Sequence, residues 1–205
     1  MPRSSPSTSS GSSTVPKSGA ALGITMALAN VLSYVFVLVL SRALGPADFG
    51  GFSALSVPAG ALQVIVARHV AGAPPNSRGL RTALVVGTAL AAATIIAAPL
   101  LTSAFRLDTF WSVIWLGLTL VPMTLTGAFQ GILLGRDRLV ALSAIYVATA
   151  VGRLAAGAGG ATLGLSVAQV FLLLLLVSVG VAALGAFLCR SDLTLVDDRR
   201  LGPEL

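Results

Sequence analysis

The sequence predicts an all-α fold, a polytopic membrane helix bundle of about six transmembrane helices. Three observations predict it. The mean hydropathy is +0.94 with only 10% charged residues, which leaves too little polar surface to cover a soluble globule. Uncharged apolar runs recur at lengths near the roughly 20 residues that a spanning helix needs. These runs are continuous, without the period-two alternation of an outer-membrane strand, so helices and not a barrel must satisfy the backbone.

Along the chain, Met1 to Lys17 is rich in Ser, Thr and Pro and cannot bury enough apolar area to fold, so residues 1–18 read as a disordered cytoplasmic tail. A cleaved signal peptide is disfavoured, because the apolar stretch after Lys17 is long enough to span and shows no cleavage motif. The predicted spans are Ser18–Ser41, Phe49–Ala67, Thr82–Phe105 and Thr109–Gly135. The glycine-rich segment from Gly157 to Gly164 then divides the rest into a fifth helix, Leu139–Ala158, and a sixth, Leu163–Cys189. The six-helix unit covers residues 19–190, and 191–205 reads as a cytoplasmic tail or a truncated linker.

Charge gives orientation. With the amino terminus inside, ten lysines and arginines lie on the cytoplasmic side, and only Arg42 and Arg106 lie outside, each near an acid, Asp48 or Asp108. That bias predicts a multi-pass protein of the cytoplasmic membrane with both termini cytoplasmic. The net charge of +6 therefore reports topology, with anionic membrane lipids as the expected partner and nucleic acid not. Trp111 and Trp115 fit an outer interfacial belt. The single cysteine, Cys189, excludes an intramolecular disulfide, and the lone His69 leaves no metal cluster.

Arg153 is the only charged side chain between Leu139 and Cys189. An arginine inside a span costs about 2.5 kcal/mol or more on insertion scales, so it faces protein or a water-filled cavity. Two readings stand for it. The side chain bonds backbone carbonyls between helices or snorkels to the outer interface, or it binds an anion, because a guanidinium matches phosphate with paired hydrogen bonds and stays charged. None of the seven acidic residues falls within a predicted span, which disfavours cation export by an intramembrane carboxylate.

Polar residues fall in stripes. Asn30, Ser33, Tyr34 and Ser41 share one face of the first helix, and Ser143, Tyr146 and Arg153 share one face of the fifth. Gln63, Thr126, Gln130, Ser166 and Gln169 could complete a lining, or these side chains bridge helices by hydrogen bonds of about 0.6 kcal/mol each. Pro58 and Pro122 sit inside spans, where kinks are expected, and Gly152, Ala156 and Gly160 form a ridge for close helix approach. Gly45, Pro46 and Asp48 suit a helix end followed by a helix start.

The segment Ser41-Arg42-Ala43-Leu44-Gly45-Pro46-Ala47-Asp48-Phe49-Gly50, following Ala29-Asn30-Val31-Leu32-Ser33-Tyr34, resembles the R-x-L-G-P-x-x-F-G turn between the first two helices of Wzx-type polysaccharide or oligosaccharide flippases. These belong to the multidrug/oligosaccharidyl-lipid/polysaccharide exporter superfamily. Gly127-Ala128-Phe129-Gln130-Gly131 is similar to the G-x-x-Q-G segment of that family's fourth helix, and the likeness continues to Gly152-Arg153-Leu154. The resemblance implies a carrier, not an enzyme, that moves an undecaprenyl-diphosphate-linked glycan across the membrane by alternating access, without a cofactor or metal. It implies Arg153 as the anion contact, with Asn30, Tyr34 and Gln130 as further substrate-binding residues. Family members have two six-helix lobes, and this chain supplies one. It would then act as a homodimer or with a second half. The alternative is a non-transporting membrane subunit or assembly factor of a polysaccharide-biosynthesis system.

Overall fold

The computed structural model describes residues 17–71, 77–105 and 109–191, with the side chains of 17, 18, 21, 44–48, 51, 54–59, 77, 78, 105 and 167 outside the description. The expected tails therefore lie outside it, apart from the residues nearest the bundle. The described chain is all-helical: α1 (Lys17–Ala71), α2 (Ser77–Ile96), α3 (Ala98–Phe105), α4 (Phe110–Gly135), α5 (Leu139–Thr162) and α6 (Val167–Leu188). Among the described residues, five stretches are long and apolar enough to cross a membrane: Leu22–Ala43, Gly79–Ile96, Phe110–Gly135, Leu139–Thr162 and Ala168–Leu188. A shorter apolar stretch, Gly60–Ala71, belongs to the second half of α1. The protein is a multi-pass helical membrane bundle.

α1 corrects the predicted boundary between the first two helices. Helical backbone runs unbroken through Gly45 and Pro46. Its axis nevertheless cannot be straight. Phe36 and Phe52 would lie about 24 Å apart along a straight helix, yet their ring centroids are 5.9 Å apart, and Ser33 and Gly60 line one cavity. α1 therefore folds back on itself as two arms. A proline removes one backbone donor, and helical bonding can resume on both sides of it, which reconciles continuous helix with a reversed direction. The expected capping by Asp48 and the side chain of Pro58 lie outside the described residues. At the far end, exposed Arg68 and His69 occupy the last turn of α1, where the positive charge of Arg68 complements the helix dipole.

The third span also divides. Helix α2 ends at Ile96 and α3 begins at Ala98. Pro99 can give no N–H to the carbonyl of Ile95, and its ring crowds that carbonyl. The backbone bonds Ala97 N–H to Ala93 O and Leu101 N–H to Ala97 O, both 2.9 Å, carry the chain across the break.

The fifth helix continues to Thr162, through the glycines expected to stop it, and the sixth starts only at Val167. Packing holds the glycine-rich turn in helical form. A Cβ at Gly157 would lie 2.9 Å from the Phe36 ring, and one at Gly160 would lie 2.7 Å from Val170. The predicted small-residue ridge is used: Gly152 meets Val177 of α6, with buried Ala156 between it and Gly160.

α4 is the central helix, mostly buried and touching every other helix. Lipid tails are as apolar as leucine, so close packing and not hydrophobic burial must hold such helices together. Gly127, Gly131 and Gly135 supply it, lying at four-residue spacing against the carbonyls of Gln63, Ala67 and Ala71 on the second arm of α1. On the other side Ala83, Gly87 and Ala91 of α2 form a buried ridge, and Gly87 meets Thr124 and the backbone of Val121. Phe36, Phe52 and Phe171 interlock α1 with α6, with centroids 5.9 and 5.6 Å apart. At one end of the bundle, Arg138 Nη1 donates to Leu188 O at 2.9 Å, capping α6. Arg68, Arg136, Arg138 and Arg190 gather at that end. Trp111 lies at the other, exposed and stacked on Phe110 and Trp115, whereas Trp115 packs against the core.

Two helices end in paired 6→1 and 5→2 turns. After α5, Leu165 N–H reaches Gly160 O (3.0 Å) and Gly164 N–H reaches Ala161 O (3.4 Å), with Gly164 at φ 63°. After α4, Arg138 N–H reaches Leu133 O (2.9 Å) and Asp137 N–H reaches Leu134 O (3.2 Å), but the left-handed position, φ 53°, holds Asp137. Glycine takes that conformation without a Cβ penalty. Asp137→Gly is expected to stabilise the protein by about 0.5–1 kcal/mol, and Asp137→Val to destabilise it by about 1–2 kcal/mol. Thermal melting in detergent reads both.

Candidate functional site

Arg153 lies on α5 roughly 21 Å along the axis from the start of the helix and about 14 Å from its end, so it sits deep within the span. Its side chain is half-buried and lines a cavity of ≈ 190 Å³ between both arms of α1, α4, α5 and α6. Ser33, Phe52, Gly60, Thr119 and Ser178 complete much of the wall. A second space of ≈ 10 Å³ adjoins it at Arg153, Met123 and Ser178 and is bordered by Gln63, Thr126 and Thr149. That is about the room one water requires.

Four hydroxyls around Arg153 have their protons committed elsewhere. Thr119 donates to Trp115 O (2.8 Å), Thr126 to Pro122 O (2.8 Å), Thr149 to Ile145 O (2.7 Å) and Ser178 to Leu174 O (2.8 Å), each to its own helix one turn back. What these four leave available are oxygen lone pairs, set in a wall that is mostly apolar, with Phe36, Phe52, Leu116, Phe171 and Leu174. Among the described residues the Arg153 guanidinium has no hydrogen-bond or ion-pair partner. None of its nitrogens is sealed away without one either, since the only such atom among them is Thr102 Oγ1. The cation therefore faces open space inside the bundle with donors to spare.

The other expected site residues separate. Gln130 is buried and accepts from Gln63 Nε2 at 3.3 Å. It does not line the cavities; it holds Gln63, which does. Gln130→Leu is expected to destabilise the protein by about 0.6–1.7 kcal/mol, the range of interhelical bonds in membranes, read by thermal melting. Asn30 and Tyr34 do not join Arg153. Both are exposed, Tyr34 by 64%, on the outer face of the first arm. Their neighbour Ser33 reaches the cavity instead, because helical rotation turns adjacent positions to different sides. Ser166 and Gln169 line neither space around Arg153: Ser166 N–H donates to Gln169 Oε1 at 2.9 Å, closing the start of α6. Ser143 and Tyr146 line neither space, and Tyr146 packs against the Phe129–Leu133–Ile145 core.

Thr149, Thr119, Met123 and Ser178 are site residues that the sequence reading missed. Thr149 carried a usable signal, one helical turn before Arg153 and so on the same face. No protein-family model, curated protein or solved structure matches the chain.

Proposed function

We propose that the chain is one lobe of a membrane transporter for an anionic, lipid-linked glycan, of the Wzx-like kind that its sequence resembles. It would lie in the cytoplasmic membrane with the arginine-rich end of the bundle facing the cytoplasm. The observation that carries this reading is Arg153. A guanidinium stands deep in a span, at a largely apolar internal space on whose walls, among the described residues, there is no acidic side chain. Such a place has unspent donors for a diphosphate, and a guanidinium offers them in pairs.

The space at Arg153 is smaller than the about 300–1,000 Å³ of ordinary small-molecule sites. It suits the phosphate portion of a ligand, and a glycan would need a larger chamber. A second lobe, either another copy or a separate half, would enclose one. The first arm of α1 is mostly exposed and carries Asn30 and Tyr34 outward, polar groups that gain from a partner in place of lipid.

The test is leaflet-resolved movement of a fluorescent undecaprenyl-diphosphate sugar in vesicles reconstituted with the full chain. Transfer by the native protein and its loss in Arg153→Ala support the reading. A well-folded native protein that moves nothing overturns transport by this chain alone. The small cavity favours one second reading, a non-transporting membrane subunit that retains the bundle, and that outcome would support it.

A further inference from the structure

A second cavity, of ≈ 510 Å³, lies away from Arg153 at the level where three spans end. Arg42 and Ala43 close the first span, Gly160 and Ala161 belong to the last turn of α5, and Leu165 and Val170 lead into α6. Val39, Leu40, Leu165 and Val170 give it an apolar side, and among the described residues the exposed Arg42 is the one charged side chain lining it. Span ends mark the depth at which a bilayer passes from acyl chains to headgroups.

The simplest structural role for Arg42 would be to cap the carbonyl end of α5. Three of the last four of those carbonyls are already occupied. Gly159 O accepts from Leu163 N–H (3.0 Å), Gly160 O from Leu165 N–H (3.0 Å) and Ala161 O from Gly164 N–H (3.4 Å). Among the described residues the Arg42 guanidinium has neither a hydrogen bond nor an ion pair. Among the described residues its charge thus stands unspent at the mouth of the cleft.

We propose that this cleft is a binding site for a membrane phospholipid of net charge −1. The phosphodiester takes paired hydrogen bonds from Arg42, and an acyl chain lies along Val39, Leu165 and Val170. One lipid of charge −1 balances Arg42, whereas a zwitterionic lipid leaves that charge uncompensated, so the chemistry favours phosphatidylglycerol over phosphatidylcholine.

The experiment is native mass spectrometry of the full-length protein in detergent, titrated separately with phosphatidylglycerol and phosphatidylcholine. The expected result is one tightly held phosphatidylglycerol per chain, with phosphatidylcholine bound about tenfold more weakly, the scale of one charged hydrogen bond. Arg42→Gln should weaken phosphatidylglycerol about tenfold and remove the preference. Ala161→Trp, which fills the cleft from an exposed position and leaves the charge in place, should weaken both lipids. It also carries the test if Arg42→Gln fails to fold. Arg153→Met should retain the lipid, so the site fails or stands independently of transport. Unchanged phosphatidylglycerol binding in folded Arg42→Gln or Ala161→Trp, or a loss that follows Arg153→Met, overturns the proposal.

Discussion

Arg153→Met is expected to abolish leaflet transfer while leaving the protein as stable as before, or more so. Holding a charge inside a span is costly, and replacing a buried charge by an apolar side chain of similar length is often neutral or stabilising. If the arginine existed to join helices, the same substitution would remove partners and lower stability. Among the described residues it has no such partner, so structure loses little. Transport loses a charge-assisted contact with a phosphate, about 1.5–3 kcal/mol, or roughly 10- to 100-fold in rate for each such bond. Arg153→Lys should fall between the two, since it keeps the charge but not the planar fork. Thermal melting and vesicle transfer, measured on the same preparations, separate the readings. A clear fall in melting temperature for Arg153→Met would make the residue structural.

Gly131→Leu is expected to prevent assembly of the bundle. A Cβ at that position would run into the carbonyl of Ala67 and come within 2.9 Å of Val70 Cβ. A carbonyl in a helix cannot rotate away as a side chain can, so the two helices must separate. Even Gly131→Ala should cost about 1–3 kcal/mol, the range for overpacked interiors. Gly127→Ala should follow in the same direction, because its Cβ would lie 2.8 Å from Gln63 O. Gly180→Ala is the control, with nothing within 4 Å of its Cβ, and should be neutral or slightly stabilising. Size-exclusion profiles and melting curves in detergent check the series. Equal stability of Gly131→Leu and Gly180→Ala would overturn this packing.

The helical membrane class was legible because run length and charge are properties of the chain alone. Boundaries were less so wherever a partner decides them. Gly157 and Gly160 read as a helix break by propensity, but Phe36 and Val170 need their missing side chains, and α5 stays helical to Thr162. Pro46 read as a helix start, while helical backbone continues through it. Arg153 stood out because one charge in apolar surroundings has few possible explanations. Asn30 and Tyr34 did not resolve, because periodicity shows which residues share a face and not which way that face turns. Ser166 and Gln169 carried the S-x-x-Q spacing of a capping box. That local explanation was available and fits the bond found.

The seam between α4 and the second arm of α1 sets how this lobe can move. Three main-chain oxygens one turn apart sit opposite three residues without side chains, an arrangement open to weak Cα–H···O contacts. Advancing α4 by a single residue would bring Ala128, Ile132 and Arg136 toward those oxygens. The pair is thus locked in register and must tilt as one body, so any alternation of shape has to be accommodated at joints such as Ala97 or between the helices around Arg153.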